Sequence, residues 1–239
     1  MDMSSEIKYK RVLLKLSGEV LAGKYESGID VEYVAELCEE IAELHEMGVQ
    51  IALVVGGGNI WRYRDFKDSG IERIMSDNMG MMATVMNGSA LKGAFEKLGL
   101  ECRVSSALHV RQVAEDYLPP RGRHHLEQNR IVVCVGGTGS PFFTTDSAAA
   151  LRALELNCDI LLKATKVDGV YDSDPETDPT AKKYDEISYT EMLAKDLRVM
   201  DLTAISLCKD GDMPILVFNL KKGNMKKAIC GEKIGTIVS

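Results

Sequence analysis

Val12-Leu13-Leu14-Lys15-Leu16-Ser17-Gly18 holds the key to the architecture: an aliphatic run broken by one lysine, then a serine–glycine turn. A strand with one wet face alternates apolar and polar residues, whereas a strand covered on both faces is apolar throughout. Residues 12–16 follow the second pattern. Working outward, the same kind of run recurs at residues 49–55, 101–104, 130–135, 159–163 and 214–218. Amphipathic stretches separate these runs. Val31, Val34, Leu37, Ile41, Leu44 and Met47 recur at three- and four-residue spacing, so residues 30–47 read as a helix capped by Asp30 and stopped by Gly48. A second helix is expected over about 77–98, ending at Gly99, and a third from Thr144 or Thr145 to Leu156. Ser188 with Glu191 fits the capping box of a fourth. Strand–helix alternation of this kind predicts an α/β fold with a mostly parallel sheet and helices on both faces.

The 239 residues correspond to one large domain or two small ones at roughly 150 residues per domain. Residues 167–183, rich in Asp, Pro and Thr, read as a long loop between two halves. The net charge of −7 argues against a general nucleic-acid binder, which presents a basic surface. Cys38, Cys102, Cys134, Cys158, Cys208 and Cys230 include no CxxC pair and lie in or beside apolar segments, so they read as reduced packing residues. Residues 1–11 carry both signs of charge and no apolar h-region, and no apolar run nears the roughly 18 residues of a membrane span. The expected location is the cytoplasm, with no membrane association.

Three glycine-rich turns follow predicted strands: Ser17-Gly18, Gly56-Gly57-Gly58-Asn59 and Gly136-Gly137-Thr138-Gly139. Glycine there lets backbone N–H groups converge on an anion, although one such turn serves strand–helix geometry equally well. Three at the carboxyl edge of one parallel sheet point to a ligand, since open α/β sheets bind along that edge. No GxxxxGK[ST] occurs; the nearest approach, Gly18 to Gly23-Lys24-Tyr25, has a tyrosine where a magnesium-binding hydroxyl belongs. GxGxxG, HRD and DFG are absent as well. Lys15 reads as a snorkelling strand-end residue or as a point charge for a transferring phosphoryl group. Arg62 fits a phosphate clamp or a solvated surface residue, and Asp77 a helix cap or a hydroxyl-binding carboxylate. Asp146 suits a favourable charge at a helix start or an organiser of Lys15. His45, His109, His124 and His125 fall outside these motifs and read as surface or packing residues.

Taken together, the motifs resemble the bacterial uridylate kinase family of the amino acid kinase superfamily. The resemblance rests on Tyr9-Lys10-Arg11 with Lys15-Leu16-Ser17-Gly18-Glu19, on Gly56 to Asn59 with Arg62, and on Asp77-Asn78-Met79-Gly80-Met81 with Ala83 to Gly88. It continues through Gly137-Thr138-Gly139 with Pro141 to Ala148, then residues 163–170, Asp174-Pro175, Val199-Met200-Asp201-Leu202 and Gly231-Glu232-Lys233. It implies a three-layer α/β/α sandwich of the amino acid kinase fold, formed by residues 1–239 as a single domain. The acceptor lies over about 1–164 and ATP over about 165–239. The implied reaction is Mg·ATP-dependent phosphorylation of UMP to UDP, with magnesium held mainly by the nucleotide phosphates and no protein metal site.

Carried over by position, Lys15 and Asp146 are catalytic, with Asp146 orienting Lys15. Lys15, Leu16, Ser17, Gly18, Gly58, Arg62, Thr165, Tyr171 and Asp174 hold ATP. Gly57, Asp77, Thr138, Gly139, Ser140, Pro141, Phe142, Phe143, Thr144 and Thr145 hold UMP, with Asp77 at the ribose and Thr145 near the reacting phosphate. Lys163 is implied as a second cation. The family also implies a homohexamer, UTP inhibition and GTP activation. Here residues 23–28 depart from the pattern, with Ser27 where GTP-activated relatives carry an aromatic; Arg103 and Arg130 keep basic positions linked to GTP sensing. Two alternatives stand beside this reading: a carboxylate kinase of the same fold, and a non-catalytic nucleotide- or oxoanion-binding protein.

Overall fold

The computed structural model describes residues 6–66, 70–175, 177–197 and 199–239. In chain order the strands are β1 (Arg11–Leu16), β2 (Gln50–Val55), β3 (Cys102–Ser106), β4 (Glu115–Asp116), β5 (Ile131–Val135), β6 (Ile160–Thr165), β7 (Val170–Tyr171), β8 (Lys183–Tyr184), β9 (Glu186–Ile187), β10 (Ile215–Asn219) and β11 (Gly235–Val238). The helices are α1 (Val31–Glu46), α2 (Arg73–Lys97), α3 (Pro119–Glu127), α4 (Thr145–Glu155), α5 (Tyr189–Ala194), α6 (Leu202–Asp210) and α7 (Asn224–Ile229). Nine strands form one sheet in the order β4-β3-β5-β2-β1-β6-β10-β11-β9. Every pairing in it is parallel except β10 with β11. The first strand of the sequence therefore lies in the middle of the sheet, which is why its residues are apolar on both faces.

Alternate residues of the central strands feed two cores. Val12, Leu14 and Leu16, with Leu53, Leu162 and Phe218, pack under α1, α2 and α7. Leu13, Val54, Leu161 and Val217 pack under α4 and α6. A side chain such as Leu14 or Phe218, removed from water completely, contributes about 1.5–3 kcal/mol. Parity along β1 and β6 places Lys15 and Lys163 on the same face as Leu13 and Leu161, below α4. The contact surface of α4 is alanine (Ala148, Ala149, Ala150 and Ala153, all buried), and these short side chains seat the helix close to the strands.

The caps follow local chemistry. The Asp30 carboxylate accepts from the N–H groups of Glu32 and Tyr33, Thr144 from those of Asp146 and Ser147, and Ser188 from that of Glu191. Gly48 and Gly99 adopt the positive φ of helix stops, 92° and 77°. The start of α2 is a correction: the helix begins one turn before Asp77, at Arg73, after Glu72, whose side chain makes no cap bond. Asp77 is thus a residue of the helix body, not its cap. The expected loop at 167–183 is also partly structured, because β7 and β8 pair antiparallel within it.

Candidate active site

β1 and β6 lie side by side in a register that sets Lys15 opposite Lys163. Both ammonium groups reach one carboxylate on the first turn of α4. Lys15 Nζ is 2.9 Å from Asp146 Oδ1, and Lys163 Nζ is 2.7 Å from Asp146 Oδ2. The Lys163 contact is a hydrogen bond. The Lys15 contact is an ion pair at hydrogen-bond distance. Lys163 also donates to the Val199 carbonyl. All three side chains are largely buried. Burial alone pushes the Asp146 carboxyl up, but attraction to Lys15 and Lys163 outweighs it and holds the group below its ordinary value. Lys163 is held below the ordinary lysine value by burial first and by the like charge of Lys15, against the pull of Asp146. Two ammonium groups on one carboxylate leave a net positive charge at the strand ends, in a protein that is acidic as a whole.

The glycine turns converge beside this group. A methyl group built on Gly18 would lie 2.5 Å from the Gly56 carbonyl oxygen and 2.7 Å from Gly58 N; one on Gly56 would lie 3.2 Å from Thr145 Oγ1. The turns after β1 and β2 therefore touch through backbone, and the Thr145 side chain at the start of α4 packs against them. The third turn is held to the same cluster: Gly136 N–H donates to Thr84 Oγ1 at 2.7 Å, and the Gly137 carbonyl accepts from buried Arg152 at 3.0 Å. Asn59 and Asn87, both buried, exchange side-chain amide bonds at 3.0 and 2.8 Å, and Asn87 also donates to the Gly56 carbonyl. These bonds fix the Gly56–Asn59 turn to α2.

Two clefts take in most of the expected nucleotide-binding residues, and a third, of about 540 Å³, is lined by residues that include Asp146, Val199 and Asp201. The first, of about 270 Å³, is lined by residues that include Gly57, Gly58, Asp77, Thr138, Ser140, Phe143, Thr144 and Thr145. The second, of about 560 Å³, is lined by residues that include Ser17, Glu19, Arg62, Ala164, Thr165 and Asn219. Arg62 of the second cleft is bonded to Gly58 of the first: its Nε donates to the Gly58 carbonyl at 2.5 Å while its terminal nitrogen pairs with Glu19 at 2.9 Å. Lys15 lines neither of these two, and Leu16, at the end of β1, and Gly18, in the turn that follows it, are buried.

Other expected residues lie at the margins. Gly139 has a φ of 83° and packs on Ala107, and Phe142 has a φ of 71° with its ring exposed; these two and Pro141 form the outer loop of the first cleft without lining it. Thr165 closes its own turn, donating to the Val167 carbonyl at 2.6 Å. Tyr171, donating to Asp168, and Asp174, at the head of the turn that follows, line neither cleft. His45 and His125 are buried packing residues, the latter against Glu115 at 3.0 Å.

Two residues gain weight only from the structure. Asp201 caps α6 and accepts from Ser147 Oγ, at 2.9 Å, and from Thr144 Oγ1, tying α6 to the start of α4. Arg73 pairs with Asp77. Among the described residues no group of three or more His, Cys, Asp or Glu side chains is placed to hold a metal ion. No helix of the described residues is long and apolar enough to cross a membrane.

A parallel sheet whose strand ends carry three glycine turns, with a buried lysine pair held by one carboxylate beside them, is the arrangement of an α/β phosphotransferase. The chain belongs to the amino acid kinase family, in its uridylate kinase branch. Residues 10–219 match the family model described as the amino acid kinase family. A uridylate kinase of Erythrobacter litoralis is 53% identical over 230 residues, 96% of this chain and 97% of that protein. Among solved structures, a UMP kinase from Bacillus anthracis superposes with a TM-score of 0.94 at 37% identity, covering 97% of this chain and 96% of its own. One from Ureaplasma parvum gives 0.92 at 37% identity, covering 98% and 100%. Relatives matched over nearly their full length do not favour a carboxylate kinase or a non-catalytic binding protein.

Proposed function

We propose that this enzyme transfers the γ-phosphoryl group of ATP to UMP, giving UDP and ADP, beside its buried lysine pair. One observation carries the proposal: Asp146, on the first turn of α4, bridges Lys15 and Lys163, and the neighbouring Thr145 packs on two glycine turns that touch through backbone. Phosphoryl transfer needs in-line placement and neutralisation of charge more than covalent chemistry by the protein. Lys15 and Lys163 supply the positive potential toward the transferring group, and Asp146 holds both and fixes their direction. The N–H groups of the turns and of α4 add partial positive charge. Because the acceptor is itself a phosphate, the reaction needs no strong general base.

The residues take the following parts. Leu16, Ser17, Gly18, Gly58 and Arg62 hold the ATP phosphates, and Thr165, Tyr171 and Asp174 the rest of that nucleotide. Gly57, Asp77 and residues 138–145 hold UMP, with Asp77 at the ribose. The chain works as a single domain, with the acceptor over about 1–164 and ATP over about 165–239. Magnesium fits as an ion carried on the nucleotide phosphates, since it keeps several waters and seldom occupies an all-protein cage. When bound it neutralises phosphate charge.

The same family reading gives a cytoplasmic homohexamer inhibited by UTP. More than half of Met82 and of Met86 is exposed on successive turns of α2, which supports association of copies along that helix. GTP activation is left out of the proposal because residues 23–28 depart from the family pattern, and measuring rate against GTP concentration decides it. The main test uses purified protein, Mg·ATP and a panel of UMP, CMP, dTMP and acetylglutamate, with ADP release followed. UMP-selective turnover is expected. Equal rates with CMP would overturn the assignment of the acceptor cleft, and turnover of acetylglutamate alone the reaction itself.

A further inference from the structure

Arg73, the first residue of α2, occupies an unusual position for an exposed arginine. Its Nε lies 2.7 Å from Asp77 Oδ1 and 2.8 Å from Oδ2. Its guanidinium carbon is 4.6 Å from the centroid of the Tyr63 ring and 5.7 Å from that of Phe142. The two rings come from different loops, one after the Gly56–Asn59 turn and one after the Gly136–Gly139 turn, and Tyr63, Arg73 and Asp77 all line the first cleft. The Asp77 carboxylate has a second partner, since Oδ2 accepts from the Phe142 N–H at 2.8 Å. That bond holds Phe142 at a φ of 71°, a backbone state that an aromatic residue seldom adopts. An exposed i,i+4 ion pair contributes little to stability. Stacking on two rings at the mouth of a cleft is more than such a pair requires.

A carboxylate has about four lone-pair positions. The single Nε–H of Arg73 is shared between the two oxygens and the Phe142 N–H adds a donor to Oδ2, so Oδ1 has the more open acceptor positions. We infer that Arg73 is a positioning residue for the acceptor sugar: gripped by Tyr63 and Phe142, it turns Asp77 so that Oδ1 faces a ribose hydroxyl. It also offsets the Asp77 charge in a cleft that must admit a phosphate dianion. This inference rests on the UMP kinase reading above and adds to it the residue that aims the sugar-binding carboxylate. Arg73 acts through Asp77 and takes no part in the transfer step, so its removal weakens acceptor binding without slowing chemistry.

The test compares wild type, Arg73→Gln, Asp77→Asn and the double variant, reading kcat and KM for UMP and for ATP. Arg73→Gln is expected to raise KM for UMP by roughly 10-fold, the usual cost of losing a charged hydrogen bond. Its kcat should stay within about threefold and its KM for ATP unchanged. The melting temperature should move by no more than about 2 °C, as for an exposed ion pair. The double variant should be no worse than Asp77→Asn alone, because both changes remove one interaction. A wild-type KM for UMP in Arg73→Gln, or effects that multiply in the double variant, overturns the inference while leaving the kinase reading intact. A wild-type protein inert toward UMP overturns both.

Discussion

Lys15 and Lys163 are register partners in neighbouring parallel strands, two like charges on one face of the sheet. Without a counter-charge the strand parity that places them there would set two ammonium groups against each other in a buried site. Asp146 resolves the conflict by taking one lysine on each oxygen. The fold thus depends on Asp146 as much as the chemistry does, and the two dependences can be separated.

Asp146→Asn removes the counter-charge from both lysines. Taking away one partner of a buried ion pair typically costs about 3–5 kcal/mol, and the slight exposure of this site puts the expectation near the lower figure, about 3 kcal/mol. Urea unfolding of the two proteins measures it. A loss below about 1 kcal/mol would show that the bridge is not structural.

Lys163→Met should behave differently. Burial and Lys15 already disfavour the charged form of Lys163, and Asp146 keeps Lys15 as a partner in the variant. Stability should change by less than about 1.5 kcal/mol, since Asp146 keeps Lys15 as its counter-ion and no buried charge is left unpaired. Turnover should nonetheless fall by roughly 10²-fold, the cost of one charge-stabilising donor. Equal and large losses of stability in both variants would contradict this division.

The pH dependence follows from Asp146. Its folded-state value lies below the ordinary 3.8, so its contribution is complete above that value and is lost as the pH falls through the lowered folded value. The difference in unfolding free energy between wild type and Asp146→Asn should be flat from pH 7 to about 5 and shrink only in stronger acid. A difference that shrinks between pH 7 and 5 would mean that the carboxyl is not held low.

Gly18→Ala tests the meeting of the turns. Its methyl group would sit 2.5 Å from the Gly56 carbonyl oxygen and 2.7 Å from Gly58 N, both backbone atoms that cannot swing aside. The turns must separate, and kcat/KM for ATP should fall by roughly 10²-fold, as for a small misplacement of a positioned substrate. Gly93→Ala, on an exposed part of α2 with nothing within 4 Å, should add about 0.5–1 kcal/mol of stability and leave turnover unchanged. Similar kinetics in both variants would remove the special role of Gly18.

The long central elements were legible because a single local signal marks each. The runs at 49–55 and 130–135 differ from β2 and β5 by one residue at the start, and the apolar pattern with Asp30 and Gly48 delimits α1. The start of α2 was not legible, since Glu72 makes no cap bond while Asp77 has the chemistry of a cap. β4, β7, β8 and β9 are two residues each, too short for any alternation, and α3, α6 and α7 are held by tertiary packing rather than by a long periodic face. In the site, glycine marks the three turns because no other residue allows such close approach. Asp201 hides its bonds to Ser147 and Thr144 behind an ordinary cap, 54 and 57 residues away in sequence. Arg73 carries no signal of its own, because its link to Asp77 depends on α2 starting at Arg73, four residues earlier on the same helix face.

Lys15 carries the central claim, and its truncation is the most direct test. In Lys15→Ala, the transfer of γ-phosphate from Mg·ATP to UMP, followed by rapid quench with enzyme in excess, should slow by roughly 10²–10³-fold. UMP binding should stay within about threefold, because the acceptor cleft does not include this side chain. A variant that transfers phosphate at a near-normal rate would contradict the account, since the Lys15 charge would then not be what stabilises the transferring group.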